Sequence, residues 1–152
     1  MVGALLVVVL LIGLAAWSGY RAFESSRAED QRNLFLQVGR QVALNLSTID
    51  ARNADTNVRR ILDPTGTFHD DFQQRSQAFV ELVRQAQSKS EGAVTEAGLE
   101  SQQGNVARVP VALTVKTVTP GTPGGPPRSW RMRIHLQDDG VGTKASNVEF
   151  VP

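Results

Sequence analysis

Near Gly92 the spacing of apolar side chains changes from every third or fourth position to every second. That change limits the possible folds more than any composition figure. A helical half followed by a strand half specifies an α+β domain, in which helices are laid on one face of a mainly antiparallel sheet. In the first half, Leu34, Val38, Val42, Leu46 and Ile49 share one stripe between Ser25 and Asp50, with Phe35 at its edge. Arg32, Gln37, Arg40 and Gln41 lie opposite, as on a half-buried helix. Asp55 has the character of an N-cap for a short helix carrying Val58, Ile61 and Leu62, stopped by Asp63-Pro64-Thr65-Gly66. Thr67-Phe68-His69-Asp70 then approximates a capping box. It opens a helix whose stripe is Phe68, Phe72, Phe79, Leu82, Val83 and Ala86.

In the second half Val109, Val111, Leu113 and Val115 alternate with Pro110, Ala112, Thr114 and Lys116. Trp130, Met132, Ile134 and Leu136 alternate with Arg131, Arg133, His135 and Gln137. Each run is a strand with one buried and one wetted face. A strand around Ala93 to Ser101 and a last one around Ala145 to Val151 bring the expected number to four. Pro110 cannot donate to a ladder and should mark an edge or a bulge. Thr119 to Pro127 holds four of the chain's seven prolines and must be an exposed loop between two long strands.

The first twenty residues, Met1 to Tyr20, contain no Lys, Arg, Asp, Glu or His. As a helix rising about 1.5 Å per residue, such a segment spans roughly the 30 Å hydrocarbon core of a bilayer. A cleaved signal would need a basic leading region and a shorter apolar core. An uncleaved single-pass anchor fits better, with Trp17 and Tyr20 at the interface before the first charge, Arg21. Gly13, Ala15, Ala16 and Gly19 give it small residues that let another membrane helix approach closely. Arg21, Arg27 and Arg32 follow the segment, so a literal positive-inside count keeps the rest of the chain in the cytoplasm.

About 130 residues remain after the anchor, the usual size of one domain. The net charge is +1 with acids and bases interspersed, so no nucleic-acid footprint is present. There is no Cys, which removes disulfides and thiolate chemistry. His69 and His135 each lack a second histidine at metal-ligand spacing, so neither a metal nor another cofactor is expected. An isomerase-type site needs an acid or His inside an apolar cavity with an oxyanion donor beside it. The only Tyr is Tyr20, His135 falls on a polar strand face, and His69, Asp70 and Asp71 suit the start of a helix. No catalytic residue is therefore assigned. Asn45-Leu46-Ser47 matches a glycosylation triplet but falls on a helix stripe, and Arg131 with Arg133 reads as a solvated face.

Five stretches together resemble the actinobacterial Mce-associated membrane proteins. They are Val58-Arg-Arg-Ile-Leu-Asp-Pro-Thr-Gly-Thr-Phe-His-Asp-Asp-Phe72, Val94-Thr-Glu-Ala-Gly-Leu-Glu-Ser101, Ala107-Arg-Val-Pro-Val-Ala-Leu-Thr-Val115, Trp130-Arg-Met-Arg-Ile134 and Asn147-Val-Glu-Phe-Val151. The resemblance implies a cystatin-like cone of the nuclear-transport-factor-2 type, with about three helices on a curved four-stranded sheet, following the anchor over residues 21–152. Type IV secretion systems use a similar anchored cone as an assembly component. The resemblance also implies a plasma-membrane protein with its C-terminal domain on the extracytoplasmic side, against the charge count. Its partners would be the multi-pass permease and Mce proteins of a lipid importer, served as a non-enzymatic accessory subunit. The alternative is a lipid-binding module, with an acyl chain held between Phe68, Phe72 and Phe79 and the strand carrying Trp130 and Met132. The chain departs from its relatives at Gly140 to Ser146, which holds no aromatic residue, so a smaller mouth or looser final hairpin is expected.

Overall fold

The computed structural model describes residues 27–62, 68–122 and 124–152. The expected anchor over residues 1–20 and the turn over 63–67, with its capping threonine, lie outside the described residues. Among the described residues no helix is long and apolar enough to cross a membrane. The body from Leu34 to Pro152 is one compact unit.

Helix α1 covers residues 27–47. The short strand β1 (Ile49–Asp50) and a single 3-10 turn (Ala51–Asn53) lead into α2 (Ala54–Leu62) and α3 (Phe68–Ala86). Five strands follow: β2 (Lys89–Ala97), β3 (Ser101–Gln103), β4 (Val106–Val118), β5 (Arg128–Asp138) and β6 (Thr143–Phe150). All pair antiparallel in the order β1-β2-β4-β5-β6, and β3 pairs with β4 beyond the end of β2. The α+β order of helices before sheet is as the periodicity predicts, but six strands stand where four were expected.

The sheet's inner face carries Ala107, Val109, Val111, Leu113 and Val115 of β4, all at most 3% exposed, and Met132, Ile134 and Leu136 of β5, at most 1% exposed. Their register places Val109 opposite Ile134, Val111 opposite Met132 and Leu113 opposite Trp130. Each fully buried side chain of this size contributes about 1.5–3 kcal/mol.

Helix α1 lies against that face through much of the expected stripe, with Val42 buried and Val38 and Leu46 packed on the core, and through the row one residue further on. Leu34 is 42% exposed, whereas Phe35, expected at the edge, is fully buried with Val42 and Ala43. The row at the contact is Phe35, Gly39, Ala43 and Ser47, four residues apart. Small residues there bring the two backbones close. A Cβ on Gly39 would stand 2.7 Å from Val109 Cγ1, and one on Gly92 of β2 would stand 1.9 Å from Ser47 Oγ. A helix glycine thus receives a strand valine, and a strand glycine receives a helix serine. The Ser47 hydroxyl donates to the Ala43 carbonyl at 2.7 Å, which satisfies it in the core.

This contact also explains the early start of β2 at Lys89. Its inner-face positions include Ser90 and Gly92, polar and small because the end of α1 fills the space, so the alternation is invisible in hydrophobicity. Pro110 occupies a central strand, at the point where its partner is the exposed Gly98 between β2 and β3. Its carbonyl accepts from Gly98 N at 3.1 Å, so its nitrogen faces the same side, where the partner passes from β2 to β3.

Asp50, rather than Asp55, is the capping acid: its Oδ1 accepts from Arg52 N at 2.9 Å. Asp55 sits in the first turn of α2 and pairs with Arg84 of α3. Helix α2 is tied back to the α1 end by Asn45 Nδ2 donating to the Arg60 carbonyl and Asn57 Nδ2 to the Asp50 carbonyl, each at 2.9 Å. Helices α2 and α3 pack together. Val58, Ile61 and Val83 are buried on them, and Leu82 remains 66% exposed.

Candidate functional site

Among the described residues the interior is mainly apolar. Phe35 and Val42 from α1 fill the space above Val109, Leu113, Met132 and Ile134 in a single apolar cluster. Among the described residues the buried polar side chains are Asn45, Ser47 and Asn57, and no ionisable side chain is buried. Asn45 also accepts from Gln41 Nε2 at 2.8 Å, and at 6% exposure it is closed to glycosylation. No group of histidine and carboxylate side chains suited to a metal occurs among the described residues.

The accessible features lie at the rim, where β4 and β5 run past the end of the core. Trp130 shares the inner-face parity of Met132, yet is 36% exposed, and meets Phe150 edge to face with ring centroids 5.8 Å apart. Phe150 is itself 65% exposed. A depression of about 350 Å³ opens on one side of Trp130, lined also by Val115, Thr117, Thr119, Thr122, Gly125, Pro126 and Arg128. A second, of about 480 Å³, is lined by Ser129, Trp130, Arg131, Phe150, Val151 and Pro152. The loop between β4 and β5 is exposed as expected and begins with a tight turn. Pro120 and Gly121 (φ 77°) are its central residues, and Thr122 N donates to the Thr119 carbonyl at 3.2 Å.

The sheet's outer face carries a charge network. Arg133 of β5 grips Glu100 through Nε–Oε2 at 2.9 Å and Nη2–Oε1 at 3.1 Å, and stands 3.5 Å from Glu149 of β6. The Glu100 carboxylate, through its hydrogen bonds and charge, raises the guanidinium pKa above its ordinary value. His135 Nε2 lies 3.2 Å from Glu149 Oε1, in ion-pair range but without hydrogen-bond geometry. This face is a set of internal ties between β5, β6 and the segment before β3.

The final hairpin is tight rather than loose. Asp139 Oδ1 accepts from Val141 N and Gly142 N, both at 2.9 Å, and Asp138 Oδ1 accepts from Gly140 N at 2.9 Å. The backbone donors of Gly142 and Val141 hold the Asp139 carboxyl below the ordinary carboxylate value.

Of the residues expected to line a cone, Met132 is in the core and Trp130 at the rim. Phe72 and Phe79 are half-buried on α3 with ring centroids 5.8 Å apart, and stand outside the apolar cluster on the sheet. The side chain of Phe68 and the anchor residues Gly13, Ala15, Ala16, Trp17, Gly19 and Tyr20 lie outside the described residues. His69 Nδ1 and Asp70 Oδ1 are 3.3 Å apart at an exposed helix start. Arg128 and the threonines beside it carry no motif in the sequence. The alternation that makes Trp130 a strand residue was the one available signal, extended two positions back.

A family model described as uncharacterized protein Rv1363c/MT1408-like matches residues 1–152. The chain belongs to this family. A Rv1363c-like relative, the uncharacterized protein Rv1363c of Mycobacterium tuberculosis, is 33% identical over 149 residues, 95% of this chain and 57% of that protein. The chain thus spans little more than half of that relative, and the family is an actinobacterial one. Among solved structures, a periplasmic fragment of TraM superposes with a TM-score of 0.61 at 11% identity, over 78% of this chain and 95% of that one. An IcmL-like type IV secretion system protein from Legionella pneumophila gives 0.58 at 13% identity, over 80% and 92%. The β subunit of a benzoate 1,2-dioxygenase from Burkholderia mallei gives 0.51 at 14% identity, over 66% and 81%. At such identities the likeness shows the fold alone, an α+β domain with a curled antiparallel sheet. Secretion components and an oxygenase subunit share it, so function cannot be taken from the fold.

Proposed function

We propose that the chain is a non-enzymatic, membrane-tethered accessory subunit of a multiprotein complex, and specifically of an Mce-type lipid importer. The observation that carries the non-catalytic part is the interior: a filled apolar core with no ionisable side chain buried among the described residues. General acid–base chemistry needs a titratable group held in a cavity, and lipid sequestration needs an empty one. The acyl-chain reading draws less support, because Phe35 and Val42 occupy the space that a chain would need. The periplasmic and secretion-complex neighbours favour an extracytoplasmic assembly role. The Mce assignment rests on the resemblance of the five stretches from Val58 to Val151.

In this role the first twenty residues pack against permease helices through Gly13, Ala15, Ala16 and Gly19, and the folded domain positions the outer assembly. Affinity purification of the full chain from membranes in mild detergent is expected to retain a multi-pass permease and Mce proteins. Replacement of Ala15 and Gly19 by Leu is expected to lower that recovery. Recovery of the chain without any of these partners would overturn the importer assignment. A reporter fused after Pro152 that is active only in the cytoplasm would overturn the topology.

A further inference from the structure

We propose that the depression beside the β4–β5 loop binds a small apolar carboxylate, with its acid group on Arg128 and its carbon body against Trp130 and Val115. The register assembles this site from two strands. Val115 faces Arg128 and Leu113 faces Trp130, so Val115, the last residue of the core on β4, shares the inner-face parity with Arg128 and Trp130. Thr117 and Thr119 continue that parity along the chain, and the turn at Pro120-Gly121 returns Thr122 and Pro126 to the opposite wall.

Charge and shape select the ligand class. Arg133 is matched by Glu100 and Arg84 by Asp55, whereas Arg128, like Arg108 and Arg131 on the same two strands, makes no ion pair among the described residues. Arg128 has no acidic partner among the described residues, and no Asp or Glu lines the depression. A guanidinium without a counter-ion, beside threonine hydroxyls able to donate to the remaining lone pairs, suits a carboxylate. Half of the wall is carbon, from Val115, Pro126 and the Trp130 ring, which an inorganic anion would leave unused. The volume of about 350 Å³ is at the small end of the range for ligand sites and admits an acid of roughly six to ten carbons.

The test uses the full chain in nanodiscs with Trp17→Phe, which leaves Trp130 as the sole tryptophan. Hexanoate, hexanamide and inorganic phosphate are titrated while Trp130 emission is followed. Calorimetry on the unmodified chain serves as the second measurement. Hexanoate is expected to saturate, with hexanamide at least about tenfold weaker and phosphate unable to displace it at equal concentration. Arg128→Gln, at an exposed position, is expected to keep the fold by circular dichroism and to lose about tenfold in hexanoate affinity; Arg128→Lys should retain part of it. Absence of saturation, equal affinity for hexanoate and hexanamide, displacement by phosphate, or unchanged affinity in Arg128→Gln would each overturn the proposal.

Discussion

Helices α1 and α3 carry comparable apolar stripes in the sequence, yet the fold uses them differently. The stripe of α1 is sealed against the sheet, with Phe35, Val42 and Ala43 at most 2% exposed. On α3 the phenylalanines contact one another, Val83 is buried, and Leu82 is left 66% exposed. The two helices differ in what separates their large residues. In α1 the four-residue row from Phe35 continues as Gly39, Ala43 and Ser47, so the helix can sink onto the strands; α3 has no such row of small residues and stands off. Hydrophobic periodicity announces a helix, and the small residues within it decide whether the helix is central or peripheral.

Truncations sharpen this contrast most. Phe35→Ala is expected to destabilise the domain by about 3–5 kcal/mol, from lost burial and the cavity left behind. Phe79→Ala should cost only about 1 kcal/mol, because its ring is half-buried outside the main cluster. Urea midpoints of the two variants, followed by near-ultraviolet circular dichroism, check the ranking, and equal midpoints would break the comparison. Next in size is Gly92→Ala, expected to cost about 1–3 kcal/mol by forcing a methyl group onto Ser47. The double variant Gly92→Ala with Ser47→Gly should lose less than the sum of the two single changes, since they share one contact. Leu82→Ser, on the exposed side of α3, should change the unfolding free energy by no more than about 0.5 kcal/mol.

The smallest effect is pH-dependent. Asp139 has a folded pKa below its unfolded one, so its contribution is fully present at neutral pH and is lost as pH falls through the folded value. The difference in midpoint between the unmodified chain and Asp139→Ala should therefore be present at pH 7 and shrink in strong acid. A difference that grows on acidification would contradict the hairpin contacts.

Much of the sheet was legible because β4 and β5 bury alternate residues on one face only, which hydrophobicity records directly. The second row of the α1 contact was not, since Gly39, Ala43 and Ser47 are weakly apolar or polar although they lie in the tightest contact. The start of β2 was hidden for the same reason: Ser90 and Gly92 are small because something else fills their space. Asp55 has the local character of a cap, as acids near helix starts do, whereas its partner in the fold is the distant Arg84. Of the rim site, only Trp130 stood out. Arg128 gains meaning from a missing neighbour and from a loop that folds back, and neither is encoded by local spacing.

The proline in β4 also fixes alignment. Because Pro110 withholds its donor only where β2 gives way to β3, any slippage of β4 along those strands would move it opposite a carbonyl in need of a partner. The longest strand of the sheet thus has a built-in stop, and a misaligned pairing would be penalised.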